Sequence, residues 1–510
     1  MSTLTALARA RAADRGLAQR VATVRHVHIS DRPLVLVALT LAGEANAPLA
    51  AMVGDGPRSA RLLAVTQPRN RAERFAFAAE LAQVVLRYID GFRRAVEAVP
   101  SGRGGEHRDR SADAPQIIVP NPATVGFLRL LGRSTRFRRP TGEYAVDPAV
   151  PVLGRWLTFL AEWAEVPGSS LLLAATQALS LHWASGQSAI EDLNLAALLG
   201  WIDPPPGMSG PQAAAAAEDP LSWPPAGPAT DPTFDNEVLT RLIAACARFE
   251  AGSRQRQLAV RDLHNALAAQ LVPTWELMWR AVDLLRALPP GQRVAARWES
   301  DRDAFTRYCV HLRDDGTPQP RRDSAVAAAR RLNWLERAQA SYAVQRAFDD
   351  PLVLAEYRLT GEAFGGTVVA AESDRVGASG KRRVLRPLVT VETEDNLMVE
   401  PGTTLTSPAR PAQSATVVSV CAAARAGAPD GAVTGGRSTV VLELRGGMGR
   451  SLTAAPGSVP EVGERLCYTA LTDTYQPRWP FPDREDTPWT HGGPPPVYVP
   501  TDEDVTEAWS

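Results

Sequence analysis

The sequence predicts a multidomain α+β protein, with an α/β region first, an all-α middle and a small C-terminal β-barrel. Three observations carry this reading. Residues 24–133 alternate strand-length apolar runs with amphipathic helices in the order β-β-β-α-β-α. From Val150 to Phe348 apolar residues recur at helical spacing. After Gly361 the pattern changes to short β-branched runs between Gly/Pro turns.

The start, MSTLTALARARAADRGLAQR, spreads Arg through an Ala/Leu helix instead of preceding an apolar block, so no signal peptide is expected. VRHVHIS and PLVLVALTL read as one strand bent at Pro33, and PLAAMVG and RLLAVTQ as two more around the turn DGPRS. In RAERFAFAAELAQVVLRYIDGFRRAV, residues Phe75, Ala79, Ala82, Val85, Leu86 and Ile89 fall on one face of a long helix. PSGRGGEHRDRSADA is polar and Gly-rich, hence a loop; PQIIVPN is a short buried strand. PATVGFLRLLGR then starts a helix with Asn121 as cap and Pro122 in the first turn.

Val150 to Trp201 reads as helical throughout, and MSGPQAAAAAEDPLSWPPAGPATDP as a Pro/Ala linker. Helices resume from Phe234 to about Arg313, with one more from about Ser324 to Phe348. RVLRPLVTVETE, NLMVEPGTTLTS, SATVVSVCAAA, STVVLELRG and ERLCYTAL give five barrel strands, and the Pro-rich end with its acidic close has no core of its own. The expected divisions are residues 1–145, 146–207, 208–233 (linker), 234–360, 361–472 and 473–510 (tail).

A chain of 510 residues, 45% hydrophobic and 22% charged, can build about two to four domains. No run approaches the roughly 18 apolar residues of a membrane span, so no membrane contact and a cytoplasmic location are expected. Cys246, Cys309, Cys421 and Cys467 lie far apart without a CxxC pair, which argues against a zinc site or a disulfide framework. With a net charge of −1 the chain lacks the basic excess of a stand-alone nucleic-acid binder, so any such contact must be local.

QPRNRAERFAFAAELAQVVLRYI and PQIIVPNPATVGFLRLLGR resemble the third-strand helix, fourth strand and following helix of the RNase H-like exonuclease domains in bacterial superfamily 1 helicase–nuclease proteins. ALSLHWASGQSAIEDLNLAALLGWIDPP resembles their helical region. FDDPLVLAEYRLTGEAFGGTVV, VETEDNLMVEPGTTL and VGERLCYTAL resemble the small β-barrel that precedes the motor. The resemblance implies an RNase H-like α/β domain, a helical region and a barrel, in the service of nucleic-acid processing.

Two departures shape the functional expectation. An exonuclease of this fold needs carboxylates alternating on its first strand and another at the later helix, to hold two divalent metals. In RPLVLVALTLAGE those strand positions are Ala38 and Thr40, only Glu44 follows, and Asn121 to Arg139 contains no acid. The second departure is the motor, for which no sequence remains after the barrel. GAVTGGRST has Arg437 where a phosphate loop has Lys, and STVVLELRG behind it reads as a strand where a helix is required.

His26 and His28 alternate on one face and Asp31 and Glu44 flank the same strand, an atypical metal set at most. His182, Ser185 and Ser188 lack a nucleophile elbow and a placed acid. The local basic clusters are Arg136 and Arg138, Arg321 and Arg322, and Lys381, Arg382, Arg383 and Arg386; Arg clusters beside a barrel give a sequence-independent grip on phosphates.

The expectation is therefore a non-catalytic accessory or scaffold protein, without cofactor, of a helicase-associated complex in DNA repair or phage defence. Its partners would be a separate helicase or ATPase subunit and single-stranded nucleic acid. The alternatives are a metal-dependent nuclease using Asp31, Glu44, Asp55 and Glu80, or a structural interaction module without nucleic-acid contact.

Overall fold

The computed structural model describes residues 2–101, 106–220, 223–225, 227–379, 382–422, 437–449, 451–471 and 499. They are mixed α+β and divide into a larger unit, residues 5–339 with 499, and a smaller one, residues 2–4 with 340–471. No helix among them is long and apolar enough to cross a membrane.

The larger unit is built on a five-stranded sheet. Its strands are β1 (Leu34–Thr40), β2 (Pro48–Gly54), β3 (Arg61–Ala64), β6 (Ile117–Val119) and β7 (Leu172–Ala174); β4 (Val96–Ser101) and β5 (Glu106–Ser111) form a separate hairpin. The order is β3-β2-β1-β6-β7, with β1, β2 and β3 antiparallel and β1, β6 and β7 parallel.

All seven residues of β1 are buried, the reason its sequence is a continuous apolar run. Leu34, Leu36 and Ala38 face helices α1 (Arg71–Arg93), α2 (Pro122–Thr135) and α3 (Ala149–Trp163), through Phe77, Leu81, Phe127 and Leu157. Val35, Val37 and Leu39 face α4 (Arg254–Arg286), through Leu263, Leu267, Leu271 and Met278. Helix α5 (Val294–Arg313) joins the first of these layers through Trp298 and Phe305.

The expected cap at Asn121 is present: its Oδ1 accepts from the Thr124 backbone N–H at 3.0 Å, with Pro122 at the first helical position. Helices α2 and α3 approach through Gly132 and Gly154. A Cβ on Gly154 would lie 2.6 Å from Thr135 Oγ1 and also against the Arg136 backbone, which cannot swing aside.

Several local features differ from the sequence expectation. Residues 24–31 are not a strand in the sheet; they make one bridge, between Arg25 and Pro290, and are otherwise held by side chains. Val96–Ser101 and Glu106–Ser111 pair as a hairpin, so strands enter the stretch 100–114 where a loop was expected; Glu97 sits opposite Arg110 in register and also pairs with Arg302 of α5. The stretch read as unbroken helix contains β7, whose three residues find a parallel partner in β6. Within the expected linker, Gly210–Glu218 is a helix closed by a Ser209–Gln212 capping box.

The smaller unit contains α7 (Pro351–Thr360), capped by Asp350, which follows α6 (Ala325–Asp349). Then come β8 (Ala363–Glu372), β9 (Val376–Ser379), β10 (Arg382–Leu385), β11 (Leu388–Thr393), β12 (Thr404–Thr406), β13 (Ser414–Ala422), β14 (Ser438–Arg445) and β15 (Arg465–Thr469).

Six of these strands close an antiparallel barrel in the order β8-β11-β14-β13-β12-β15, around Phe364, Val389, Val391, Leu405, Val440, Leu442 and Tyr468. The barrel expectation holds, with one strand more than the five read from sequence: β8 had passed for the approach to the barrel. RVLRPLVTVETE splits at Pro387, its first part pairing with β9 in a hairpin outside the barrel. The region 473–510 lies outside the described residues apart from Val499.

Because backbone blocks any Cβ at residue 154, Gly154→Ala is expected to lower stability by about 1–3 kcal/mol. Denaturant midpoints at unchanged m-value would measure it, and an unaltered midpoint would show that the α2–α3 contact is loose.

Candidate functional site

The carboxyl end of the parallel strands, where the resemblance would place carboxylates, is covered. Residues 227–230 run beside β1 with a parallel bridge between Thr40 and Ala229. The Thr40 N–H donates to the Pro228 carbonyl, and the Thr230 N–H donates to the Thr40 carbonyl at 3.1 Å. Asn121 Nδ2 donates to the Gly227 carbonyl at 3.0 Å. Gly227 has φ +80°, and a Cβ there would lie 2.7 Å from the Ala38 carbonyl, so glycine is what lets this strap lie so close. Ala38, Thr40 and Asn121 are buried beneath it.

The carboxylates of the alternative metal set are dispersed. Asp31 precedes β1 and Glu44 follows it, separated by a seven-residue strand about 23 Å long at about 3.3 Å per residue. Glu44 pairs with Arg69 at 2.9 Å, Asp55 with Arg32 at 3.1 Å, and Glu80 with Arg61 at 3.8 Å. One ion cannot bridge Asp31 and Glu44. Among the described residues no three His, Cys, Asp or Glu side chains group so as to hold a metal.

His182 is a core residue: its Nδ1 donates to the Ala178 carbonyl at 2.6 Å and its Nε2 accepts from the His26 backbone N–H at 2.9 Å. Its ring stacks on that of His26. Ser185 donates instead to Asp192, so the two are not a nucleophile–base pair.

The basic residues divide between the two units. In the larger one, Arg136 (2% exposed) donates to the carbonyls of Gln319 and Pro320, with its guanidinium 4.6 Å from the Phe137 ring. Arg138 donates to Ser134 and is also buried. Arg136 thus pins the chain at 319–320, which leads to exposed Arg321 and Arg322, the guanidinium of the former 5.8 Å from the Phe137 ring. In the smaller unit Arg382 and Arg383 are exposed on the β9–β10 hairpin, while Arg386 is tied near Glu443 at 3.8 Å. Lys381 lies outside the described residues. Arg437 meets Glu394 and Glu392 at the start of β14, and the segment behind it is a strand, so no helix N-terminus stands where a phosphate loop needs one.

The opposite end of the sheet is open and polar. A cavity of about 910 Å³ lies between α1, the β2–β3 turn and residues 28–32. Behind it is a buried network that sequence reasoning missed. Gln116 Nε2 donates to the carbonyls of His28 and Ser170, and its Oε1 accepts from the Ser30 N–H, all at 2.8 Å. The Ser170 N–H donates to Asp301 at 2.7 Å, and Trp163 Nε1 donates to the other oxygen of that carboxyl at 3.0 Å. The His28 ring stacks on Trp298 with centroids 4.0 Å apart, and Trp298 Nε1 donates to Asp113.

Burial lifts the Asp301 carboxyl to about 6, against the hydrogen bonds that favour its charge. Burial also depresses the His28 imidazole to about 4, with Asp113 opposing, so the ring is neutral at physiological pH. Burial raises the Tyr88 phenol, whose hydroxyl donates to the Arg32 carbonyl at 2.8 Å. The one sequence signal for this network was a Gln placed directly before a buried apolar strand.

Compared with family models, curated proteins and solved structures, the chain matches none.

Because the native Asp301 carboxyl holds its proton more tightly than in the unfolded chain, its favourable contribution is present below about pH 4 and is lost as pH rises through about 6. The melting temperature of Asp301→Asn minus that of the wild type is therefore expected to increase between pH 4 and 7. A difference that stays flat across that range would show the carboxyl to be ionised throughout.

Proposed function

We propose that this chain is a non-catalytic accessory or scaffold protein of a nucleic-acid-processing complex, acting beside a separate helicase or ATPase subunit in DNA repair or phage defence. Its larger unit is read as an RNase H-like domain without the metal site. The strand order, three antiparallel strands followed by two parallel to the first, supports that reading.

The observation that carries the proposal is the strapped end of β1 and β6. Where such a nuclease would hold its metals there are Ala38, Thr40 and Asn121, and their polar groups are taken up by residues 227–230. The barrel and its β9–β10 hairpin support a role in gripping a single strand, since Arg382 and Arg383 are exposed on an element outside the barrel wall.

The full chain is expected to leave single- and double-stranded DNA and RNA intact with Mg²⁺ or Mn²⁺. Metal-dependent cleavage that disappears in Glu44→Gln would defeat the scaffold reading and favour a nuclease.

Binding of a labelled single strand is expected to have a shallow salt dependence, because few phosphates can be neutralised. At about 0.7 per phosphate, the slope of log affinity against log salt should be about −2 to −3. Reversal of Lys381, Arg382 and Arg383 to Glu should abolish it for every base sequence. Unchanged affinity in that triple variant, or no binding at low salt, would point to a protein partner surface instead.

A further inference from the structure

We propose that the cavity at the amino end of β1 binds a nucleoside monophosphate. Its volume of about 910 Å³ falls within the about 300–1,000 Å³ of small-ligand sites. Three groups within its lining match three parts of such a ligand, while Asp55 and Asp113, also in the lining, are engaged by Arg32 and Trp298.

The apolar part is Val84 and Phe92, both partly exposed, a surface for a flat ring. The cationic part is Arg61 and Arg87. Arg61 reaches Glu80 only at 3.8 Å, with both side chains about half exposed. Arg87 has no ion pair or hydrogen bond among the described residues, whereas Arg32 and Arg93 nearby are paired with Asp55 and Asp90. Two weakly committed guanidiniums lining one cavity, from β3 and α1, suit a phosphate.

The third part is Asp31 with the half-buried imidazole of His28, acceptors for ribose hydroxyl or base amino groups. Inorganic phosphate would use only the cations, and an aliphatic acid would leave the acceptors unmatched. The wall is also open beside Arg87: a Cβ on Gly91 would meet nothing within 4 Å.

This inference goes beyond the scaffold reading and does not depend on it. Calorimetric titration of the full chain with AMP, GMP, CMP and UMP tests it, with adenosine and inorganic phosphate as controls. At least one nucleotide is expected to bind ten-fold or more tightly than either control.

Arg87→Ala should weaken that binding about ten-fold, the usual scale for one charge-assisted hydrogen bond. Gly91→Phe should abolish it by filling the cavity while leaving the melting temperature at or above that of the wild type, since Gly is a poor helix former and the site is open. No binding of any nucleotide at millimolar concentration, phosphate binding as tightly as the nucleotides, or full affinity in Gly91→Phe would overturn the proposal.

Discussion

The side chain of Gln116 sets the arrangement on which the larger unit depends. It is fully buried, and its amide joins the segment leading into β1, the start of β6 and Ser170, two residues before β7. Backbone bonds from Leu34 to Gln116 and from Ile117 to Leu171 continue the same alignment. Parallel strands are joined by long crossovers and receive no register from a tight turn, so something else must align their amino ends. Here one amide does so, and through Ser170 it reaches Asp301 and thus α5. Loss of the amide would leave three buried backbone groups unsatisfied, each costing about 1–3 kcal/mol.

That alignment gives the two ends of the sheet opposite characters. At the amino end the polar groups are held apart behind an open cavity. At the carboxyl end the strap takes up the backbone of Thr40 and the side chain of Asn121, leaving Ala38 with no exposed surface. A carboxylate at residue 38 would be desolvated there with no cation beside it, and an isolated buried charge is among the most costly groups a core can hold. An acid placed there could reach neither water nor an ion until the strap left.

How much of this was legible in the sequence follows from the range over which each feature is determined. The cap at Asn121, the long helix through Ala82, Val85 and Ile89, and most barrel strands are local patterns, and they were readable, although the buried face of that helix turns on Phe77 and Leu81 where Phe75 and Ala79 were expected. Leu172–Ala174 was not: three apolar residues in LLLAATQ suit a helix equally well, and only the distant Ile117–Val119 makes them a strand. The β4–β5 hairpin was hidden because Glu97 and Arg110 supply its stability where apolar alternation usually would. At the site, that residues 38 and 40 are Ala and Thr is plain in the sequence. The burial of Arg136 and Arg138 could not be read, because a run of arginines looks the same whether it faces water or backbone carbonyls such as those of Gln319, Pro320 and Ser134.

The same distinction governs the smaller unit. Closing the barrel leaves no free strand edge, so its stability rests on an interior of Val, Leu and aromatic side chains to which the basic residues contribute nothing. Arg382 and Arg383 stand on β10, which pairs only with β9, outside the closed wall. Arg386, by contrast, lies at the wall near Glu443 of β14, between Arg375 and Arg445, which also pair with that carboxylate. A cation already engaged in such a cluster must give up its partner to meet a phosphate, whereas the hairpin arginines need not. The hairpin is thus one part of this unit in which, among the described residues, charge is available for binding without being needed for folding.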